Sequence, residues 1–197
     1  MPLKVMSAMQ WASDNLPPFY LYASSDDDFV INFAEVIDFL RNQIDKHKAI
    51  NRRPSDAVQH LPITCIYFLS TTTKPVRDKD SKYYVSEKDY SLDLYPAFCG
   101  GGFYTAPVSM VTALSGMAKI TRSLPMDDVW VTGILRRKLG QRDDNIIAAK
   151  WPLGAPKDMW KHLWGDYGKK TKNIVDLIKS TWRKWDESIL KLPHCIR

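Results

Sequence analysis

Few of the groups that mark the common enzyme chemistries are present in this chain. It holds three cysteines in 197 residues, Cys65, Cys99 and Cys195, and their spacing fits no metal-binding pattern. An odd count permits one disulfide with a free thiol, or no disulfide at all, and leaves the redox compartment open. The four histidines, at 47, 60, 162 and 194, lie far apart. None belongs to an H-E-x-x-H motif and no G-x-S-x-G occurs, so protease and esterase readings have no support. The one triple glycine is not followed by Lys-Ser/Thr and does not fit the dinucleotide fingerprint, which excludes a P-loop hydrolase. No apolar run approaches the roughly 20 residues needed to cross a bilayer. The start, Met1-Pro-Leu-Lys-Val5, lacks the apolar centre of a signal peptide. On these grounds alone the expectation is a soluble chain without an address. No recognition helix, zinc finger or RNA-binding signature is found, so nucleic acid is not an expected partner.

What is present suits a globular domain: 45% apolar and 25% charged residues in a chain long enough to bury a core. The net charge of +6 favours anionic partners, but the basic residues are scattered, with short groups at Arg136–Lys138 and Lys169–Lys172.

Apolar spacing predicts a helix from Lys4 to Trp11, ended by Asn15-Leu-Pro-Pro18, then a β-type run at Phe19–Ala23. A second helix is expected from Ala34 to about Lys48, with Val36, Ile37, Leu40 and Ile44 on its apolar face. Ile63–Leu69 reads as a strand, Lys74–Asp80 as a charged turn and Tyr83–Val85 as a further strand. Val108, Val111, Leu114, Met117 and Ile120 form a helical stripe, and Val129–Leu139 is expected to be helical. The tail carries Trp151, Trp160, Trp164, Trp182 and Trp185 and a helical pattern from Lys172 to Leu190. Such alternation of strands and helices argues for a layered α/β domain.

Two acidic clusters carry the sharpest chemical signal. Asp26-Asp27-Asp28 directly follows a strand-like run. Carboxylates are hard oxygen ligands suited to Mg²⁺ or Mn²⁺, and adjacent negative charges at a strand end make sense around a cation; the plain alternative is a solvated acidic turn. Asp127-Asp128 opens an apolar helix. Such aspartates cap free N–H groups, or one of them serves as a general base. Gly100, Gly101 and Gly102 allow positive φ, a close backbone approach to a ligand, or a bulge. Their aromatic neighbours Tyr95, Phe98, Phe103 and Tyr104 are either sugar-stacking or core residues.

In order, these pieces resemble the β-1,3-galactosyltransferase and β-1,3-N-acetylglucosaminyltransferase family. Lys4-Val-Met through Trp11 is similar to the helix that precedes its metal motif. Phe19 to Asn32, including Asp26–Asp28, resembles its strand, D-x-D motif and following F-V-N segment. Pro75-Val-Arg77 and Lys82-Tyr-Tyr-Val-Ser86 look like its P-x-R and K-W/Y-Y-V/I elements, and Tyr95-Pro-Ala-Phe-Cys-Gly-Gly-Gly-Phe103 its Y-P-x-Y-C block. Asp127-Asp-Val129, with Gly133 and Leu139-Gly140, looks like the E/D-D-V…G…L-G block. The resemblance covers about residues 3–140.

It implies a GT-A-like nucleotide-sugar transferase sandwich with a central mixed sheet, incomplete on its N-terminal side. That domain is expected over residues 1–150, with a helical, Trp-rich extension over 151–197. It further implies inverting transfer of galactose or N-acetylglucosamine from a UDP-sugar to a glycan hydroxyl in β-1,3 linkage, with Mn²⁺ (or Mg²⁺) as cofactor. Asp26, Asp27 and Asp28 would form the cofactor site, with Asp26 and Asp28 as metal ligands, and Asp128 would be the base. Asp127, Tyr95, Gly100, Gly101, Gly102, Phe103 and Lys82 would lie on the substrate side. The family also implies the lumenal side of the Golgi membrane and an N-terminal anchor, which no segment here supplies.

The sequence departs from the family pattern in several places. The family's nucleotide-holding strand and helix ahead of the D-x-D helix have no counterpart. Ser24–Ser25 stand where a lysine is common, and Gln141–Trp151 lacks a histidine used as a further metal ligand. No cysteine occurs near Asn15 to pair with Cys99. A second class of function uses the same residues without turnover: a silent relative that binds glycan or a partner glycosyltransferase. A third, a lectin-like binder outside the family, expects Asp26 and Asp28 to lie far from Asp128.

Overall fold

A computed structural model describes residues 2–26, 29–48, 61–66, 68–143, 145–148, 160–162 and 179–183. Helix α1, Pro2–Asn15, starts on a proline, whose missing N–H costs nothing at a helix start. It stops where Asn15 turns its amide back onto the Trp11 carbonyl, at 2.9 Å, ahead of Pro17-Pro18. Strand β1, Leu21–Ser25, begins two residues later than the sequence pattern predicts. It is followed by β2, Phe29–Ile31, and α2, Phe33–Lys48. On α2, Val36 and Leu40 are buried as expected, but Ile37 is 46% exposed and belongs to the outer face.

The single strand expected over Ile63–Leu69 is two, β3 (Ile63–Cys65) and β4 (Phe68–Leu69), in different sheets. Next come β5, Phe98–Cys99, and β6, Phe103–Pro107, which runs directly into α3, Val108–Ala118. Ile120 lies beyond that helix and is 78% exposed, so the buried stripe of α3 ends at Leu114 and Ser115. Helix α4, Val129–Leu135, is wound as a π-helix, and α5, Arg136–Lys138, continues it. Strands β7, Ile146–Ala148, and β8, Trp160–His162, follow among the described residues.

The main sheet is mixed, in the order β1-β6-β3-β7. β6 pairs antiparallel with β1 and β3, and β3 pairs parallel with β7. Every residue of β6 is buried, so both faces of the sheet are covered. Alternation along β6 decides which helix meets which side chain. Tyr104 and Ala106 join the larger core with Met9 and Ala12 of α1, Val111 and Leu114 of α3, and Val129 and Leu135 of α4. Phe103 faces the other way and packs with Ile31, Val36, Leu40 and Ile66 beside α2. The result is a layered α/β domain, as the alternating pattern predicts.

Several expectations are corrected. Tyr83–Val85 forms no strand: the loop is gathered instead by Arg77, whose guanidinium donates to the carbonyls of Val85 (2.8 Å) and Tyr90 (2.7 Å), leaving one isolated bridge, Val76 to Tyr84. Arg136, one of the short basic group Arg136–Lys138, is completely buried. Cys99 does have a partner: it is joined to Cys65, tying β3 to β5 with a separation of 34 residues. In the chain-entropy account a loop of that length is worth roughly 3–4 kcal/mol. Cys195 lies outside the described residues. So do Trp151, Trp164, Trp185 and most of the helix expected over Lys172–Leu190, of which residues 179–183 are described and helical. The extension is not wholly helical, because its segment Trp160–His162 is a strand that pairs antiparallel with β2.

Candidate active site

The site is built where β1 leaves the sheet beside the turn between β5 and β6. Ser25, the last residue of β1, stands opposite Phe103, and its hydroxyl donates to the carbonyls of Gly102 (3.3 Å) and Asp26 (3.0 Å). The Asp26 N–H also donates to the Gly102 carbonyl, at 3.2 Å, and the Phe29 N–H closes a turn onto the Asp26 carbonyl, at 3.3 Å. Asp26 is thus pinned by its backbone to the glycine run. Asp26 is exposed; Asp27 and Asp28 lie outside the described residues.

The glycines act by lacking a side chain. Among the described glycines only Gly140 has positive φ, at 78°. A β-carbon on Gly102 would fall 2.1–2.5 Å from the ring of Phe29, which lies across it. One on Gly101 would meet Asp26 Oδ2 at 3.3 Å and Asp128 Oδ2 at 3.5 Å. Asp26 and Asp128, one from each acidic cluster, therefore meet at one point. The lectin-like reading requires them apart, and for Asp26 that requirement fails.

Asp128 stands at the start of α4, after Leu124-Pro125. Its Oδ1 accepts from the Val129 N–H at 2.7 Å, and Asp127 Oδ1 accepts from the Asp128 N–H at 3.1 Å. Both carboxylates therefore do cap the helix start. Capping occupies one oxygen of Asp128 and leaves Oδ2 facing Gly101. Burial pushes the Asp128 carboxyl up to about 6, and the nearby Asp127 and Asp26 carboxylates push the same way, against the Val129 N–H. A carboxylate poised near neutrality is well matched to taking a proton from an alcohol.

The remaining expected residues divide. Gly100 is buried beside the site. Phe103 and Tyr95 are 4% and 3% exposed, so they are core residues rather than sugar platforms. Tyr95 packs against Tyr90 and Phe98. Its buried hydroxyl has no partner among the described residues, and burial raises its phenol to about 12. Lys82 is exposed, its Nζ 4.7 Å from the centre of the Tyr83 ring, and is not among the groups gathered at Gly101. Two features escaped the sequence reading. The pairing of β2 with β8 brings His162 opposite Phe29, the residue that follows the triplet, although no histidine is near it in sequence. Thr132, four residues after Asp128, is wholly buried, and its hydroxyl donates to the Asp128 carbonyl at 2.7 Å. That i, i+4 spacing was the signal available for Thr132; nothing local pointed to His162. No group of three His, Cys, Asp or Glu able to hold a metal occurs among the described residues.

The mixed sheet covered by helices, with Asp26 and Asp128 meeting across a glycine turn, is consistent with an α/β glycosyltransferase domain. The galactosyltransferase family model matches residues 1–145, and the chain belongs to that family. It is 28% identical over 135 residues to the UDP-GlcNAc:betaGal beta-1,3-N-acetylglucosaminyltransferase 9 of Bos taurus, covering 68% of this chain and 30% of that protein. It is 29% identical over 179 residues to the beta-1,3-galactosyltransferase brn of Drosophila melanogaster, covering 86% and 50%. With the lactosylceramide 1,3-N-acetyl-beta-D-glucosaminyltransferase of Homo sapiens the identity is 28% over 141 residues, covering 70% and 33%. The chain thus spans between about a third and a half of the length of these relatives. No helix among the described residues is long and apolar enough to cross a membrane.

Proposed function

We propose that this chain forms the acceptor-activating part of an inverting β-1,3-hexosyltransferase, using UDP-galactose or UDP-N-acetylglucosamine as donor and a glycan hydroxyl as acceptor. The observation that carries this is the meeting of Asp26 and Asp128 across Gly101, in a chain of the galactosyltransferase family. The α/β layering and the strand-end position of Asp26 support a GT-A-like fold.

Asp128 is the base. With Oδ1 held by the Val129 N–H, Oδ2 takes the proton of the acceptor hydroxyl. The resulting alkoxide oxygen bonds to the sugar's anomeric carbon from the face opposite the diphosphate. The bond from that carbon to the diphosphate oxygen breaks, its electron pair leaves with the nucleotide, and configuration inverts. Asp127 supports the start of the helix, and Gly101 keeps the space between the carboxylates clear.

The donor set fits Mn²⁺ or Mg²⁺: it is all carboxylate oxygen, and Asp128 is raised partly by neighbouring negative charge that a divalent cation would offset. Asp26 and Asp28 would hold the ion, which when bound would neutralise charge on the departing nucleotide diphosphate. A disulfide between Cys65 and Cys99 suits an oxidising compartment such as the Golgi lumen.

The test is a UDP-sugar transfer assay with Mn²⁺ on the wild type and on Asp128→Asn. Transfer by the wild type and its loss in the variant are expected. A correctly folded wild type that transfers no sugar across donors and acceptors, yet binds glycan, would replace this reading with that of a silent relative.

A further inference from the structure

A buried side chain ties the helix that Asp128 caps to the disulfide-bonded strand. Thr132 is completely buried on α4. Its hydroxyl donates to the main-chain carbonyl of Asp128 at 2.7 Å and accepts the main-chain N–H of Cys99 at 2.9 Å. The carbonyl of Thr132 is also held, by Arg136 Nε at 2.7 Å. Arg136 in turn donates to the Ala97 carbonyl at 2.9 Å, on the approach to β5. Gly133 lets the helix come this close, since a β-carbon there would stand 3.1 Å from Phe98 Cβ.

A threonine hydroxyl bonding back to the carbonyl four residues earlier is common in helices and by itself says little. Here the same oxygen also accepts from a second element, the strand whose next residues are the glycine turn. The distance between Asp128 and Gly101 therefore depends on a relay: Cys99 N–H to Thr132 hydroxyl to Asp128 carbonyl. We propose that Thr132 is a positioning residue that sets the Asp128 carboxylate against the Gly101 turn. The proposal rests on Asp128 being the base.

Valine has the shape of threonine without the hydroxyl, and serine keeps the hydroxyl without the methyl. In the transfer assay Thr132→Val should lower kcat about tenfold to a hundredfold, as expected when a catalytic group is displaced by a fraction of an ångström to an ångström. KM for donor and acceptor should stay within about twofold, and Thr132→Ser should keep kcat within about threefold of wild type. Rates are taken per folded molecule, at a temperature where all variants are folded. A merely structural threonine would change the melting temperature and leave kcat alone, and that result overturns the proposal. So does a Thr132→Ser variant as impaired as Thr132→Val. If Asp128→Asn keeps full turnover, the base assignment falls and the proposal with it; if Asp128→Asn is inactive while Thr132→Val is not, only the proposal falls. A second readout needs no turnover. The side-chain carboxyl resonance of Asp128 should shift in Thr132→Val and stay in place in Thr132→Ser; an unmoved resonance in the valine variant overturns the proposal.

Discussion

Asp26 and Asp128 present their Oδ2 atoms to the same point above Gly101, 3.3 and 3.5 Å from where a β-carbon would stand. Gly101 lacks the positive φ that would strain another residue, so an alanine there meets the carboxylates and little else. Gly101→Ala should keep stability within about 1 kcal/mol of wild type while lowering transfer about tenfold or more by pushing the two acids apart. Gly102→Ala should behave differently, because its methyl would fall inside the Phe29 ring; overpacking of that kind costs about 1–3 kcal/mol. Melting curves and transfer rates on the two variants check the contrast. Equal losses of stability would refute it.

Asp128 gives a pH dependence whose sign can be worked out. Its carboxyl is raised from an ordinary 3.8 to about 6 in the folded state, first by burial. The folded protein therefore binds this proton more tightly than the unfolded chain. Ionising the group works against folding, with the penalty absent below about pH 4 and fully present above about pH 6. Asp128→Asn, which keeps an acceptor for the Val129 N–H, should stabilise the protein above pH 6 by roughly 2–3 kcal/mol. The advantage should vanish as pH falls to about 4. Thermal melts of both proteins in chelator across that range are the measurement. Because the same ionised carboxylate is the proposed base, kcat of the wild type should fall in acid, with a midpoint below about 6 where a bound cation offsets the charge of Asp26.

The helices and their partners were legible where burial follows a local period. Met9 of α1 and Val111 and Leu114 of α3 read as parts of apolar stripes and are buried as such. What failed were the margins of patterns: Ile37 lies beside the buried stripe of Val36 and Leu40 and faces outward, and Ile120 lies past the end of α3. Motif order pointed to the acid pair. The role of the glycines was open, because whether glycine serves φ or approach depends on what lies opposite, here Phe29 and two carboxylates. Cys65 was invisible as the partner of Cys99, since the pairing is set by the distance between β3 and β5, not by spacing. The burial of Arg136 was hidden for the same reason: its acceptors are main-chain carbonyls, which every sequence has.

The Cys65–Cys99 bond closes a long loop across the face of the core. Cys99→Ser, or reduction of the wild type, should lower stability by roughly 3–4 kcal/mol in the chain-entropy account. Both sulfurs are buried, so reduction should be slow in native buffer and fast in mild denaturant. Thiol titration against denaturant concentration, together with melting temperatures, tests this. A wild type that takes up thiol reagent at both positions under native, oxidising conditions would contradict the pairing.

Arg136 is a buried cation held mainly by main-chain carbonyls. It is completely buried, and its guanidinium reaches the carbonyls of Thr132, Ala97, Gln141 and Arg142 and the carboxylate of Asp143. A planar fork with five donors can meet five acceptors at once; an ammonium on a longer stem cannot. Arg136→Met should therefore cost on the order of 3–5 kcal/mol, most of it from acceptors stripped of a partner in a dry site. Arg136→Lys should recover less than half of the loss. Asp143→Asn should be mild, about 1 kcal/mol, because Asp143 is partly exposed and its amide oxygen still accepts. Urea midpoints for the three variants order these effects. If Asp143→Asn proves as damaging as Arg136→Met, the ion pair rather than the carbonyl cage holds the helix that carries Asp128.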